Sequence, residues 1–206
     1  MRVANAERRS EAKDALLQVL AEQSSGLVTH LGHVAALATS TAIELGLPAG
    51  QIELTRLAAE LHDIGKAAIP DSILNKPGPL TAAERTFVER HSAIGERIVA
   101  AAPTLEAIAP IIRAAHERPD GTGYPDGLSA EEIPICSRVI AVVDAYDAMT
   151  SNRPYRPAMP KAAALAELRA HAGSQFDQRV SDAFARVVAD ESVLQAPLRR
   201  AGRAGA

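Results

Sequence analysis

The sequence predicts an all-α bundle of about eight helices. Aromatic residues make up 3% of the chain and Trp is absent, so the core is aliphatic and rich in Ala. Strands favour β-branched and aromatic side chains, whereas small straight or unbranched residues suit closely packed helices. Apolar residues also recur at helical spacing through most segments, and Gly, Pro and capping signals punctuate them.

The elements follow in order. Glu11 to Gln23 carries Ala12, Ala15, Leu16, Val19 and Leu20 on one stripe, and a bend is expected at Ser24-Ser25-Gly26. Leu27 to Leu45 is a second helix, stopped by Gly46 and Pro48, and Gln51 to His62 a third, ending toward Gly65. The Pro- and Gly-rich stretch 66–80 cannot be one long helix. Thr81 and Glu84 have the spacing of a capping box that opens the next helix. His91 to Ala102 follows, then Thr104 to His116, bent or divided at Pro110. Residues 117–130 read as a Gly/Pro/Asp loop and Ile133 to Met149 as a long apolar helix. Pro160 opens a helix to Ala172, and Asp177 caps one to about Ala189. The tail after 190 is expected to fray. This divides the chain into an N-terminal extension (1–26), a main domain (27–190) and a flexible tail (191–206).

Composition excludes several classes. A net charge of −3 gives no basic surplus for a nucleic acid polymer or an anionic membrane. Cys136 is the one cysteine, so there is no internal disulfide and no thiolate zinc cluster. The charged start is no secretory signal. The most apolar stretch, Ile98 to Ala115, is interrupted by Pro103, Glu106, Pro110 and Arg113 and is not a membrane span. The expectation is a cytoplasmic protein.

Chemistry concentrates in the middle of the chain. His62 and Asp63 are adjacent and, in a regular helix, would point about 100° apart. At a helix end unwinding toward Gly65 both can turn into one cavity. Asp144 lies in the apolar run VIAVVDAYDAM, where a carboxylate needs a partner: a metal, or a buried Arg. Asp147 falls on the same face. Imidazoles and carboxylates converging from separate helices make a mixed N/O site suited to iron, manganese or zinc. Two metals bridged by a carboxylate and a hydroxide would suit phosphoester hydrolysis. Lys66 follows Asp63 by one turn. Arg153 and Arg156 sit in a Pro-stiffened loop, either as forks for phosphate oxygens or as ordinary surface residues. In Asp120-Gly-Thr-Gly-Tyr-Pro125 the glycines allow close backbone approach, and Tyr124 could stack on a ring or donate its hydroxyl.

These segments together resemble the HD-GYP domains, a branch of the HD metal-dependent phosphohydrolases. The resemblance rests on LHDIGKAAIPDSILNKPGPLT at 61–81, His91 with Gly95, HERPDGTGYPDGLSAEEIP at 116–134, RVIAVVDAYDAMTSNRPYR at 138–156 and GSQFDQRV at 173–180. It implies the helical HD-domain fold and a phosphodiesterase that hydrolyses cyclic di-GMP to linear pGpG, GMP or both. It implies two divalent ions, iron or manganese before zinc, nickel or magnesium. The implied metal ligands are His30, His62, Asp63, His91, His116 and Asp144, with Asp63 bridging. Asp63 and Lys66 are the implied catalytic pair. Lys66, Gly123, Tyr124, Pro125, Asp147, Arg153 and Arg156 are the expected substrate contacts.

The chain departs from the family pattern at four places. Ala115 stands where a histidine ligand is usual, which weakens one metal and opens a second reading. In that reading the module binds cyclic dinucleotide or a signalling partner without turnover. Gly26 replaces the glutamate of a third metal site. His33 replaces an arginine and could ligate, or merely pack and hydrogen-bond. Pro119 replaces a common aromatic. The first helix is read either as the remnant of a signalling helix or as a homodimer contact.

Overall fold

The computed structural model describes residues 2–23, 25–152 and 157–190. Helices α1 (Arg2–Gln23), α2 (Ser25–Glu44) and α3 (Ala49–Leu61) come first, then α4 (Asp71–Leu74), α5 (Ala82–Glu89), α6 (His91–Ala100) and α7 (Ala109–Arg113). The long α8 (Ile135–Thr150) is followed by α9 (Lys161–Ala170) and α10 (Gln178–Ala189). Among the described residues the only β-type pairings are two isolated bridges, Asp120 with Ser129 and Ala172 with Phe176. The tail expected to fray lies outside the described residues.

The core is aliphatic, as the composition requires. Leu31, Val34 and Ala38 of α2, Leu57, Ala58 and Leu61 of α3, and Val139, Ile140 and Val143 of α8 are buried together. Phe184 of α10 closes one end against Tyr146, ring edge to face at 4.9 Å. Helix α1 begins well before Glu11, and its Leu20 is fully buried while Leu16 and Leu17 pack on the core.

The caps read from the sequence form. The Thr81 hydroxyl accepts the Glu84 amide, and the Glu84 carboxylate accepts the Thr81 amide. The same carboxylate holds Lys76 at 2.6 Å, which ties the Pro/Gly-rich stretch to α5. The Asp177 carboxylate accepts the Val180 amide at 3.0 Å.

The expected helix 104–116 is three short pieces. A 3-10 turn (Glu106–Ile108) leads into α7, and a second (Ala114–His116) follows it. Pro110 sits in the first turn of α7, where its missing N–H costs nothing. The tighter final turn ends at His116.

Two glycines set the depth of the centre. A Cβ on Gly65 would lie 1.9 Å from the His91 carbonyl oxygen, and one on Gly95 only 3.1 Å from Ile112. The 3-10 turn Ile64–Ala68 therefore presses directly on α6. Gly65→Ala is expected to destabilise by about 3 kcal/mol or more, the upper end for overpacking, because rigid backbone must move. Denaturant unfolding checks this; a change within experimental error would show that the two segments can separate freely.

Candidate metal centre

Six side chains from five parts of the chain meet in two neighbouring groups. His30, His62 and Asp144 form one, and Asp63, His91 and His116 the other; within each group the donor atoms lie within 4.8 Å of one another. His30 comes from α2, His62 from the C-cap of α3, Asp63 from the residue after it, His91 from the start of α6, His116 from the 3-10 turn and Asp144 from α8. His62 and Asp63 serve different groups because the helix has ended: Asp63 has φ −96° and ψ 6°.

The imidazoles are held by their far nitrogens. His62 Nδ1–H donates to the Ala59 carbonyl at 2.9 Å, and His91 Nδ1–H to that of Val88 at 2.8 Å. Each therefore presents Nε2 to the cavity. His62 Nε2 lies 3.7 Å from both Asp63 and Asp144, and His91 Nε2 lies 3.4 Å from Asp63 Oδ1. His30 Nδ1 bonds to Asp147 at 2.5 Å, leaving Nε2 3.2 Å from Asp144. His91 and His116 face each other Nε2 to Nε2 at 3.0 Å.

The charges are strongly coupled. Burial alone would raise the Asp63 pKa, but Lys66, at 2.5 Å, with His62 and His91 holds it well below the ordinary carboxylate range. Burial would likewise lower His30, yet hydrogen bonds to Asp144 and Asp147 hold it up at about 9. His116 goes the other way, down to about 3, through burial and the neighbouring His91.

A divalent cation fits this donor set. His62 Nε2 and Asp63 Oδ1 are buried and aimed inward with no hydrogen-bond partner, an arrangement a folded protein rarely leaves unanswered. Lone pairs meeting at 3.0 Å between His91 and His116 also call for a proton or a cation between them.

The namesake loop closes the other wall. The Glu117 carboxylate accepts amides from Asp126, Gly127 and Leu128 at 2.6, 3.1 and 3.0 Å. A Cβ on Gly123 would lie 2.4 Å from the Arg118 amide nitrogen, so only glycine permits this fold-back. The Tyr124 amide donates to the His116 carbonyl, and its ring stacks on His116 at 5.2 Å and 15°. The Tyr124–Pro125 peptide is cis. A cavity of about 380 Å³ opens beside His116, Asp144 and Tyr124, bounded by Ala115, Glu89 and Gln175.

Other expectations fare differently. Asp147 is 3% exposed, and both its oxygens are engaged by His30, His33 and Ser151. It backs the centre and is not open to substrate, because its carboxylate is already saturated. His33 joins neither group and bonds to Asp147, matching the hydrogen-bonding option. Arg153 and Arg156 lie outside the described residues. The sequence reading missed Glu117, Glu89 and Gln175. For Glu117 the signal was available: a carboxylate followed by a glycine-rich turn whose amides need an acceptor.

An all-helical domain with adjacent His/Asp groups around an HD pair defines an HD-type phosphohydrolase architecture. A family model described as HD domain matches residues 14–180. The chain belongs to that family. It is 41% identical over 182 residues to the cyclic di-GMP phosphodiesterase response regulator RpfG of Xanthomonas campestris pv. campestris, covering 87% of this chain and 48% of that protein. It is 44% identical over 118 residues to 3'3'-cGAMP-specific phosphodiesterase 3 of Vibrio cholerae, covering 56% and 26%. The chain thus spans less than half the length of these relatives. The fold matches that of Bd1817, an HDG"Y"P protein from Bdellovibrio bacteriovorus, with a TM-score of 0.64 at 20% identity, over 79% of this chain and 52% of that one. Among the described residues no helix is long and apolar enough to cross a membrane.

With His30 protonated below about pH 9 in the metal-free chain, a cation that takes His30 Nε2 must expel a proton. Mn²⁺ affinity is expected to rise at least about tenfold per pH unit between pH 6 and 8, the slope for the one proton that His30 releases. Titration calorimetry in buffers of different ionisation enthalpy measures it; a pH-independent affinity would contradict the assignment of His30.

Proposed function

We propose that this chain is a metal-dependent phosphodiesterase that hydrolyses cyclic di-GMP to linear pGpG, GMP or both. The observation that carries the reading is the pair of adjacent His/Asp groups beside a cavity large enough for part of a nucleotide. The names of the relatives supply the substrate class, cyclic dinucleotides. In this reading residues 27–190 are the catalytic unit, with α1 packed against it.

His30, His62 and Asp144 would hold one ion, and Asp63, His91 and His116 the other. Nitrogen and carboxylate donors without a thiolate favour iron or manganese. Gly26 offers no carboxylate for a third ion. Bound divalent ions supply a nucleophile at neutral pH and neutralise charge on the phosphoryl oxygens. The protein does the rest. Asp63, ionised and pinned by Lys66, would hold an ion of the second group while facing His62 of the first at 3.7 Å. Lys66, part-exposed and paired with Asp63, would meet a phosphate oxygen. Tyr124 stacks on His116 at 5.2 Å and would fix the direction of its ring. Arg153 and Arg156 would grip a phosphate through their planar forks and reverse the repulsion of an acidic centre toward a dianionic substrate.

Ala115 motivates the alternative of a module that binds without turnover. It is weighed down by the six donors that still converge and by relatives named as phosphodiesterases. Purified protein loaded anaerobically with Fe²⁺ or Mn²⁺ is expected to bind up to two ions and to cleave cyclic di-GMP; 3'3'-cGAMP is the comparison substrate. Arg153→Ala should weaken substrate binding by about 1.5–3 kcal/mol, the loss of a charge-assisted hydrogen bond, with metal content unchanged. Two bound ions with no product from either dinucleotide would establish the non-turnover module instead.

Ala115 is fully buried and borders the cavity. Ala115→His is expected to raise metal occupancy at substoichiometric Mn²⁺, read by elemental analysis after gel filtration. Unchanged occupancy would mean that the position has no bearing on the centre.

A further inference from the structure

The two helices that face each other across the first group carry matched pairs. His30 and His33 lie one turn apart on α2, and Asp144 and Asp147 one turn apart on α8. Their side chains alternate in a single ladder. Asp144 meets His30 Nε2 at 3.2 Å, His30 Nδ1 meets Asp147 Oδ2 at 2.5 Å, and Asp147 Oδ1 meets His33 Nδ1. Ser151, the residue that caps the end of α8, donates to Asp147 at 3.3 Å.

We propose that Asp147 is a positioning residue of the metal centre, orienting His30 so that Nε2 faces the cavity, and that His33 in turn fixes Asp147. The proposal rests on the reading of His30 as a metal ligand. His62 and His91 need no such help, because backbone carbonyls of their own helical turns already hold their Nδ1–H groups. His30 Nδ1 is held instead by a side chain from another helix. A carboxylate bonded through one oxygen alone can rotate. A second imidazole on its other oxygen sets the plane. His33 is half-exposed while Asp147 is buried, so His33 also closes the ladder against solvent. Carboxylates that accept the far N–H of a ligating histidine fix its tautomer and direction and raise its basicity, and their loss costs 10–100-fold in metal affinity.

The test is Mn²⁺ titration of the full chain against a competing chelator, with the melting midpoint of each metal-free variant recorded. Asp147→Asn keeps the shape but can offer an amide N–H where His30 needs an acceptor. It is expected to weaken one Mn²⁺ by about 10–100-fold and leave the other within about twofold. His33→Ala should weaken the same ion by a smaller factor. His33→Asn, which returns an N–H donor near the position of Nδ1, should restore it; a merely space-filling His33 would not be rescued this way. Equal weakening of both ions, or of neither, in Asp147→Asn overturns the proposal, as does outright loss of an ion in His33→Ala, which would make His33 a ligand. His30→Ala separates the levels. If it retains both ions at wild-type affinity, the ligand reading falls and the proposal with it. If it loses one ion while Asp147→Asn loses none, the proposal alone falls.

Discussion

The contact between Gly65 and the His91 carbonyl controls the geometry of this domain. Helix α3 has to stop at Leu61 so that His62 and Asp63 can face different groups of donors. The chain then has to turn tightly enough to lie on the first turn of α6. Only a residue without a Cβ allows that approach, since the added atom would lie 1.9 Å from a carbonyl oxygen. The same contact brings Asp63 to His91 at 3.4 Å. Backing this turn away from α6 would separate the second group while leaving the first intact.

Electrostatics then makes the centre costly without a counter-charge. Asp63 is buried, Asp144 is shielded at the cavity, and Asp147 is almost fully covered. Ionised carboxylates in such surroundings need cations or hydrogen bonds. Lys66, His30 and His33 answer part of this demand, and inward-facing atoms on His62 and Asp63 remain without partners. The protein has arranged its hydrogen bonds on the outer side of these donors. Carbonyls hold His62 and His91, a carboxylate holds His30, and a stacked phenol ring backs His116. Rigid outer support with an unsatisfied interior is the arrangement a metal-binding centre requires.

The loop 117–130 applies the same economy to the backbone. Three consecutive amides converge on the Glu117 carboxylate, and Gly123 folds over the start of the loop. Arg113 bridges from α7 to Asp126 at 2.6 Å and to Glu96 of α6 at 2.7 Å. Tyr124 is thereby delivered to the ring of His116 by contacts made elsewhere, which leaves its own face available to the cavity.

Much of this was legible along the chain. Low aromatic content and helical spacing of Leu, Ile, Val and Ala specified a helical bundle. The Thr81–Glu84 box and the Asp177 cap are local interactions within one turn, so their residues alone were sufficient to read them. The six donors were also named from the sequence, Asp144 because a carboxylate in an apolar helix needs a partner and the full set because the motifs resemble those of a known family. The partition into two groups was not readable, since it depends on how far α3 unwinds and how closely α6 approaches. A break in residues 104–116 was expected at Pro110, but the 3-10 turns on either side of α7 were not. Asp147 was misread as open to substrate because its spacing from Asp144 placed it on the right face. Only the packing of α2 against α8 decided that two histidines would take both its oxygens. Local hydrogen bonds and periodicity are properties of the chain, whereas saturation of a buried carboxylate is a property of the distances between helices.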